Sequence, residues 1–478
     1  MKSAFKKGRM IPRVKGKKRV IKTATKRLSR LYEVKKLLKE AKKIDIDPSE
    51  GKLFAYVYET GNSELQSIAK EANQMFHQSN YLDFTVFKSA MFFEKEVIKF
   101  AKKIFNADDG AVGTFTFGGT ESIMIAVKSA RDKFFNDGKT GKPEILVPYT
   151  IHPAFLKSAD YLGLGVKKIP VGRDGKVVVD ELRKNITERT ALVAVSAPNW
   201  PFGVVDPVED VAKITRDYGI PLHVDACLGG FVLPFFERLG INVPKFDFRV
   251  DGVTSISADV HKYGYAPKGA SVVLFKNREL KKFSIYVDVS SPGYVLVNQT
   301  VLSSRPIGPL ASAFAVIKYL DEDGYVKLTR NIVLARDRIA EGMQELGFYS
   351  LFPLESNILC LSSENINLLD FVVNMKKLGW HIHLQREIKD LGFPWSIHLA
   401  VSPVHLNKVK NFISDAKKAL RMKSEFSDID LERDIQKVVS GIISGKLDAS
   451  VLPLLVNYFP QDLAVDMIKD TVISWFNE

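Results

Sequence analysis

The sequence predicts an α/β protein with a mainly parallel sheet in its larger part and a small α+β unit near its C-terminus. Short apolar runs alternate with helical patterns from residue 106 to about residue 280. This alternation is typical of parallel strands that are covered by helices on both faces. The length of 478 residues is enough for two globular domains with additional segments. A long irregular stretch, residues 287–309, separates the alternating part from the C-terminal unit.

The individual elements follow from hydrophobic periodicity. Helical patterns dominate residues 45–105, with a loop predicted at residues 79–84, and return in residues 310–320 and 325–346. Strands are predicted in the alternating part at residues 145–147, 166–170, 192–196, 222–225, 253–257 and 271–275. The C-terminal unit is predicted to have strands at residues 357–361, 381–384 and 396–401 and helices at residues 368–378 and 406–421. The predicted division is a basic, partly disordered arm (1–44), a helical segment (45–105), a large domain (106–345), a small α+β domain (346–421) and a helical extension (422–478).

The positive charge of the chain is confined to its N-terminal arm. The formal net charge is +14, but residues 1–43 carry +16 and the rest carries −2. The arm is too polar to fold alone, although Leu31, Val34 and Leu38 predict one short amphipathic helix. Contact of the arm with an anionic membrane surface or with RNA is the specific interpretation, and a solvated or subunit-wrapping extension is the alternative. The rest of the chain is nearly neutral, which argues against nucleic acid as a partner of the whole protein.

Cysteine content and hydropathy indicate the cytoplasm. Cys227 and Cys360 are the two cysteines, which excludes a disulfide framework and any cysteine-based metal spacing, so no metal site is predicted. No apolar run approaches the ~18 residues that a membrane-spanning helix needs.

A lysine in a turn is the centre of the predicted active site. Lys262 follows His261 between the predicted strands 253–257 and 271–275. Burial in such a turn lowers the pKa of the ammonium group and makes the amine nucleophilic toward an aldehyde. Lys262 is therefore predicted to form a Schiff base.

Three upstream segments fit pyridoxal phosphate (PLP) as the aldehyde. Gly118, Gly119 and Thr120 precede a helical pattern, where backbone amides can hold a phosphate. His152 follows a strand and can lie flat on a pyridine ring, and Asp225 ends a strand and can keep the ring nitrogen protonated. Each segment alone is a weak signal. Together they all fall at the carboxyl ends of predicted strands, where open α/β sheets bind ligands.

These motifs resemble the group II pyridoxal-dependent decarboxylase superfamily, and within it a branch of carbon–carbon lyases. The resemblance runs from about residue 51 to about residue 420 and rests on residues 118–122, 196–207, 221–230, 247–257, 261–269 and 304–306. It implies the PLP-dependent transferase fold (fold type I), a mainly parallel seven-stranded sheet and a homodimer with shared active sites. It further implies cleavage of an amphiphilic substrate, a phosphorylated long-chain 2-amino-3-hydroxy base, to an aldehyde and phosphoethanolamine.

The resemblance also implies a role for individual residues. Lys262 would be the Schiff-base lysine, His152 the stacking base and Asp225 the pyridinium partner, with Tyr58 as a further catalytic group. The remaining cofactor contacts would be Gly118, Gly119, Thr120, Ser257, His261 and, from the neighbouring subunit, Ser304. The substrate contacts would be Tyr58, Asn80, Asp83, Trp200 and Lys268.

This chain departs from the family at the substrate entrance. Asp83 stands where the family usually has His, Phe117 where it has Ser, and Trp200 where it has Phe or Tyr, while Phe54 and Ala55 replace Ser-Gly. An anion in place of a potential cation opposes binding of a phosphate group. The sequence therefore predicts an intact cofactor site and an altered substrate site.

Two other functions remain open from the sequence. An amino-acid decarboxylase would use the same cofactor site and an arginine for the substrate carboxylate, for which Arg305 is the candidate. A catalytically idle PLP fold whose arm binds RNA or membrane is the second alternative, and the retained Lys262, Asp225 and His152 count against it. In the lyase, the base that takes the 3-hydroxyl proton would be His152, Lys262 or Tyr58 acting through water.

Overall fold

The structure of the protein is a computed structural model that describes residues 15–423 and 459–477. It divides into two units, Met1–Glu50 and Gly51–Glu478. The apolar positions Leu452, Leu454, Leu455 and Tyr458 of the predicted helical tail lie outside the described residues.

The first unit contains one long helix, α1 (Lys15–Ile44), and a short 3-10 turn at Pro48–Glu50. The helix begins well before the apolar stretch that starts at Leu31, so it is longer than the short helix predicted from the sequence. The physical reason is composition, because residues 17–47 contain neither Gly nor Pro and are rich in Lys, Arg, Leu and Ala, which favour helix. The large apolar side chains of this helix, such as Leu37 and Leu38, are exposed.

The second unit alternates helices and strands along the chain. Its helices are α2 (Ser63–Met75), α3 (Lys88–Ile104), α4 (Gly119–Asn136), α5 (Ala154–Leu162), α6 (Val179–Lys184), α7 (Val208–Asp217), α8 (Leu233–Arg238), α9 (Arg278–Lys282), α10 (Gly308–Glu345), α11 (Leu368–Lys377), α12 (Val409–Ala419) and α13 (Gln461–Asn477). Its strands are β1 (Val112–Thr116), β2 (Glu144–Pro148), β3 (Gly165–Ile169), β4 (Thr190–Ser196), β5 (Leu222–Asp225), β6 (Val253–Ala258), β7 (Ser271–Phe275), β8 (Tyr286–Asp288), β9 (Leu296–Asn298), β10 (Tyr349–Ser350), β11 (Ile358–Ser362), β12 (His383–Gln385) and β13 (Ser396–Ala400).

The large sheet has seven strands in the order β1-β7-β6-β5-β4-β2-β3. Strands β2 to β6 pair in parallel, and β7 is antiparallel to both β6 and β1. Strand β1 therefore points the same way as the parallel strands. The α/β fold class with a mainly parallel seven-stranded sheet is confirmed, and the carboxyl ends of β1, β2, β4, β5 and β6 meet along one edge.

A smaller antiparallel sheet forms near the C-terminus, in the order β10-β11-β13-β12. A separate hairpin, β8 with β9, occupies part of the stretch that the sequence predicted to be irregular. Helix α10 passes along the second unit and is interrupted by non-helical backbone at Asp321, where the sequence pattern also breaks. No helix in the described part of the chain is both long enough and apolar enough to cross a bilayer.

Candidate active site

Lys262 lies in a turn that directly follows β6. Its backbone amide donates to the Asp259 carbonyl, and the next residue, Tyr263, is buried and donates its hydroxyl hydrogen to the Val401 carbonyl at 2.9 Å. The turn is thus anchored between the edge of the large sheet and the chain that follows β13. The Lys262 Nζ atom lies 3.0 Å from Asp259 Oδ2, and its side chain is 21% exposed.

The carboxylate of Asp259 changes the charge expected on the lysine. Burial lowers the pKa of Lys262, but Asp259 and the more distant Cys227 and Tyr58 raise it, and the pKa ends above its usual value. The expectation of a lowered pKa was therefore wrong for the cofactor-free enzyme. The turn was predicted from the sequence, but no function was assigned to Asp259. Its carboxylate, three residues before the lysine, was the feature from which an ion pair could have been predicted.

The start of α4 forms a cradle beside this turn. A Cβ atom at Gly119 would lie 2.8 Å from both Asp259 Oδ2 and Cys227 Sγ, so no side chain fits there. The free backbone amides at a helix start attract anions. Gly118 also faces the ring of His261, because a Cβ atom there would lie 3.6 Å from its Cε1 atom.

His261 presents a neutral N–H group to the cradle. Its Nδ1 atom accepts a hydrogen bond from the Ala270 amide at 3.2 Å, so the ring hydrogen is on Nε2. Burial lowers the pKa of His261 to about 4, and the neighbouring Asp259 only partly opposes this.

Asp225 ends β5 and is held by groups behind it. Its Oδ1 atom accepts hydrogen bonds from the Cys227 amide at 3.0 Å and from the Ser257 hydroxyl at 3.4 Å. Ser257 is fully buried and also contacts His223 Nε2 at 3.0 Å. The family resemblance placed Ser257 among the cofactor contacts. In the structure Ser257 lies on the neighbouring strand β6 and supports the Asp225 carboxylate from there.

His223 is a functional candidate that sequence reasoning missed. Its other nitrogen, Nδ1, lies 2.8 Å from the Ser255 hydroxyl, and burial lowers its pKa to about 4. A neutral imidazole is therefore fixed between two serines behind Asp225. Its position two residues before Asp225 on the same strand face was the signal that could have found it.

His152 lies beyond the end of β2, between two cavities. Its Nδ1 atom accepts a hydrogen bond from the Ala154 amide at 3.2 Å. Desolvation by the surrounding protein lowers the pKa of His152, and Asp225 opposes this effect. The ring is thus neutral at physiological pH, and it lines both cavities.

The first cavity has a volume of about 590 Å³ and gathers most of the predicted cofactor residues. Those residues are Gly118, Gly119, Thr120, His152, Asp225, His261 and Lys262. Asp259, Cys227 and the exposed Phe117 line the same cavity.

The second cavity has a volume of about 550 Å³ and shares His152 with the first. Trp200 lines it and packs against the buried His398 in a tilted arrangement, with the ring centres 4.2 Å apart. Its opposite wall comes from the small sheet and includes His383 and Arg386, and Arg386 donates to the Tyr149 hydroxyl at 3.0 Å.

Tyr58 and Lys268 form a pair next to the Lys262 turn. Lys268 Nζ lies 5.2 Å from the centre of the Tyr58 ring and donates to the His261 carbonyl at 3.1 Å. Desolvation, together with the nearby Lys262 charge, lowers the pKa of Lys268 to about 8. Burial raises the pKa of Tyr58 to about 12, so its hydroxyl keeps its proton at neutral pH.

Asn80, Asp83 and Ser304 line neither of these two cavities, and neither do Tyr58, Lys268 and Ser257. Asn80 donates to Ser304 Oγ at 3.4 Å, so these two lie together. Asp83 is in a turn, where its Oδ1 atom accepts from the amides of Thr85 and Val86 and from the Thr85 hydroxyl. These hydrogen bonds, led by that of the hydroxyl, lower the pKa of Asp83.

Arg305, the candidate carboxylate-binding arginine of the decarboxylase alternative, has structural contacts in this chain. Its guanidinium stacks on the Tyr81 ring at 4.3 Å and donates to the Phe115 carbonyl at 3.1 Å. The side chain is buried and lines neither cavity.

Comparison with known proteins agrees with this geometry. Residues 47–295 match the family model described as the pyridoxal-dependent decarboxylase conserved domain. A sphingosine-1-phosphate lyase of Dictyostelium discoideum is 37% identical over 419 residues, which cover 87% of this chain and 76% of the relative. One from Arabidopsis thaliana is 37% identical over 383 residues, covering 78% and 69%.

Solved structures share the fold. A sphingosine-1-phosphate lyase of Burkholderia pseudomallei superposes with a TM-score of 0.76 and 24% identity, covering 94% of this chain and 98% of that one. A glutamate decarboxylase of Lactobacillus brevis gives a TM-score of 0.72 with 19% identity, covering 88% and 97%. Fold and cavity together define a PLP-dependent enzyme of fold type I. The chain belongs to the pyridoxal-dependent decarboxylase family, in the group that contains the sphingosine-1-phosphate lyases.

The residues of the first cavity fit PLP. The cavity beside Gly118 and Gly119 has room for a phosphate, to which His261 would offer an N–H group, and Asp225 lies in the same cavity as an acceptor for a pyridinium N–H. Lys262 would supply the amine for the aldehyde. When bound, the cofactor supplies an electron sink for charge that develops next to the amino carbon of the substrate.

Proposed function

We propose that this enzyme cleaves a phosphorylated long-chain 2-amino-3-hydroxy base, such as sphingosine 1-phosphate, into a fatty aldehyde and phosphoethanolamine. The observation that carries the proposal is the Tyr58–Lys268 pair beside Lys262. It places a cation and a hydroxyl group next to the reactive lysine. Relatives named as sphingosine-1-phosphate lyases, 34–37% identical, support the same substrate class.

Four residues have separate roles in the proposed cleavage. Lys268 binds the phosphate group of the substrate, with Tyr58 donating a hydrogen bond beside it. His152 is neutral and acts as the base that takes the proton of the 3-hydroxyl group, because its pKa is lowered below neutrality. Tyr58 is unsuitable as that base, since burial raises its pKa to about 12. Asp225 holds the proton on the ring nitrogen while the C2–C3 bond breaks.

Product analysis with defined substrates tests this function. Purified enzyme would be incubated with a phosphorylated long-chain base, the same base without phosphate, and a panel of amino acids. Aldehyde and phosphoethanolamine are expected from the phosphorylated base, and Lys262→Ala, the inactive control, should form neither. Release of CO2 from an amino acid, without aldehyde from the phosphorylated base, would contradict the proposal.

The second cavity favours one other candidate function, an amino-acid decarboxylase. Arg386 lines this cavity together with His152, whereas Arg305 does not. A guanidinium next to the cofactor pocket suits a substrate carboxylate. A relative named as a probable L-tyrosine/L-aspartate decarboxylase of Methanothermobacter thermautotrophicus is 32% identical over 311 residues.

Arg386 separates the two candidates. Arg386→Leu should abolish turnover of an amino acid if the guanidinium binds its carboxylate, and Arg386→Lys should restore part of it. Under the lyase proposal, both variants keep kcat for the phosphorylated base within about threefold, because Lys268 carries the phosphate.

We also propose a homodimer in which Ser304 of one subunit completes the cofactor site of the other. Ser304 does not line the first cavity of its own chain, although the nearby Leu302 does, and it follows the hairpin β8–β9, whose Tyr286, Val287 and Val297 are exposed. Exposed apolar residues clustered on a hairpin favour burial against a partner.

Within Gly51–Glu478 we propose that residues 106–345 hold the cofactor and residues 346–421 close the second cavity.

Subunit mixing tests the shared site. Lys262→Ala and Ser304→Tyr subunits, each inactive alone, would be unfolded and refolded together. A shared site predicts recovery of about a quarter of the parent activity, since half of the dimers are hybrids with one intact site each. Activity that stays at the level of the separate variants would contradict the shared site.

We propose a cytoplasmic location with peripheral membrane contact through the basic arm. Residues 1–43 carry +16, and anionic lipid surfaces attract such segments. The large apolar residues of α1, among them Leu31 and Leu37, are exposed and could enter the lipid interface.

A further inference from the structure

Glu121 lies in the first turn of α4, two residues after Gly119, and its carboxylate connects two separate segments of the chain. Its Oε2 atom accepts a hydrogen bond from the Phe117 amide at 2.6 Å. Its Oε1 atom accepts from the amides of Val301 at 2.8 Å and Leu302 at 3.1 Å. Hydrogen bonds to an ionised carboxylate are roughly twice as strong as neutral ones. Glu121 therefore holds the start of α4 against a segment 180 residues further along the chain.

The Ser304 segment, defined here as residues 299–306, is also attached to β1 at both of its ends. Near its start, Gln299 Oε1 accepts from the Thr114 hydroxyl at 3.4 Å. Near its end, the buried Arg305 donates to the Phe115 carbonyl at 3.1 Å. With Glu121 bound in the middle, the position of the whole segment depends on the end of β1 and the start of α4.

Neighbouring residues of the Ser304 segment have different surroundings. Val301 and Leu302 line the first cavity, as Glu121 does, whereas Ser304 does not. The Ser304 side chain is exposed, and its hydroxyl oxygen accepts from Asn80 at 3.4 Å. A serine hydroxyl that accepts one hydrogen bond still has its own hydrogen to donate. Ser304 can therefore offer a hydrogen bond to a second subunit, as the proposed homodimer requires.

The Glu121 carboxylate does not compete with a ligand for the amides of α4. The three amides that it accepts from, those of Phe117, Val301 and Leu302, all lie outside the helix. The amides in the first turn of a helix have no acceptor within the helix, and an anion can bind them there. Glu121 can thus hold the surrounding backbone while the cradle binds a phosphate.

We propose that Glu121 is a positioning residue for both cofactor sites of the dimer. In its own subunit it fixes Phe117, and with it the backbone that leads into Gly118 and Gly119. Through the Ser304 segment it fixes the serine that completes the site of the partner. This inference rests on the proposed shared site and extends it, because a change at one Glu121 then alters two sites. It holds whichever substrate the enzyme accepts.

Hybrid dimers separate the two effects. Each hybrid joins a reporter subunit, in which Lys262 is intact, to a second subunit that carries Lys262→Ala, and two affinity tags allow its purification. The absorbance of the lysine-bound cofactor then reports the cofactor affinity of the reporter site alone. Glu121→Ala is placed in either subunit. Thermal unfolding shows whether each hybrid is folded, and Glu121→Gln, which keeps one accepting oxygen and should have a smaller effect in the same direction, is used if Glu121→Ala is not.

Both placements of Glu121→Ala should weaken cofactor binding at the reporter site. In the reporter subunit the affinity should fall about tenfold, because hydrogen bonds to a charged group are lost. In the second subunit it should fall about fivefold or more, the lower range of coupling between distinct sites. The control Glu279→Ala, which removes a carboxylate from the first turn of α9 where it pairs with Lys282, should change neither affinity. An unchanged affinity with Glu121→Ala in either subunit would overturn the proposal.

Ser304→Ala tests whether the effect on the partner passes through Ser304. In the second subunit it should weaken binding at the reporter site, and adding Glu121→Ala to the same subunit should cause no further loss. Losses that add would contradict the proposal. The mixing of Lys262→Ala and Ser304→Tyr subunits tests the shared site separately. Recovery of activity in that mixture, with no effect of Glu121→Ala from the second subunit, would reject this inference alone, and no recovery would reject the shared site as well.

Discussion

At the residue scale, Asp225 should control the rate of the chemistry more than the retention of the cofactor. Asp225→Asn keeps the shape of the side chain but removes the charge that holds the ring nitrogen protonated. We expect cofactor content to stay near the parent level while kcat falls by about 100-fold or more, a loss of about 2.7 kcal/mol. Absorbance titration and single-turnover kinetics measure the two effects. A variant with the parent rate would show that Asp225 has another function.

Lys268 should make substrate binding sensitive to pH. Its pKa is lowered to about 8, so the ammonium charge is present below pH 8 and is lost as the pH rises through that value. The KM for the phosphorylated base should therefore rise about tenfold from pH 7 to pH 9. Lys268→Arg is the control, because it stays charged and its KM should change little. The same rise in Lys268→Arg would assign the pH dependence to a different group.

Asp83 should weaken phosphate binding through its charge rather than its shape. The residue caps its own turn through Thr85 and Val86, and an asparagine retains the accepting oxygen. Asp83→Asn should lower KM for the phosphorylated base by up to about tenfold, about 1.4 kcal/mol, with kcat nearly unchanged. The unphosphorylated base serves as the control substrate. If KM does not change, Asp83 is a turn cap without influence on the substrate.

The sequence predicted the cofactor residues better than their supporting groups. Lys262, His152 and Asp225 stand at strand ends, where local pattern and cofactor chemistry agree. Asp259 and His223 act through contacts that depend on neighbouring strands, and such contacts cannot be obtained from local periodicity. The pKa of Lys262 was predicted with the wrong sign for the same reason, since burial was anticipated and the Asp259 ion pair was not.

At the scale of elements, the start of α4 should tolerate no side chain at Gly119. Gly119→Ala places a Cβ atom 2.8 Å from Asp259 and Cys227, which are both buried and cannot move freely. We expect a folded protein whose cofactor affinity falls at least about tenfold, about 1.4 kcal/mol, because the start of α4 must move away from Asp259 and Cys227. Gly293→Ala is the control, with only Ser291 Oγ near its Cβ position, at 3.9 Å. Cofactor titration and thermal unfolding measure affinity and folding separately, and unchanged affinity in Gly119→Ala would contradict the cradle.

The predicted strands with strong apolar runs agree with the structure to within about two residues. Strand β1 was not predicted, because it contains Gly113 and few apolar residues and is defined by its pairing with β7. The hairpin β8–β9 was missed because Ser, Pro and Gly surround its short strands. In both cases the hydrogen-bond partner lies outside the window in which periodicity is visible.

At the scale of the whole molecule, the basic arm should be separable from catalysis. Removal of residues 1–30 deletes most of the positive charge and leaves Gly51–Glu478 unchanged. Turnover of a dispersed substrate should stay within about twofold, while binding to anionic vesicles should fall strongly at low salt and little at high salt. Vesicle co-sedimentation with neutral vesicles as control measures this. Equal vesicle binding by the two proteins at low salt would show that the arm is only a solvated extension.

Strand β1 lies at the edge of the large sheet, and this position affects how the chain folds during its synthesis on the ribosome. Thr116, the last residue of β1, pairs with Ser271, and the far end of their common ladder is Phe275. At about 5–20 residues per second, the ribosome needs roughly 8–32 s to make the 159 residues from Phe117 to Phe275. During this interval β7, the strand that pairs with β1, has not been completely synthesised. The start of α4, which follows β1, therefore lacks its contacts with the sheet edge. The nascent chain therefore acquires its active site late in translation, and a codon-dependent pause before residue 275 would lengthen the time in which chaperones must protect β1.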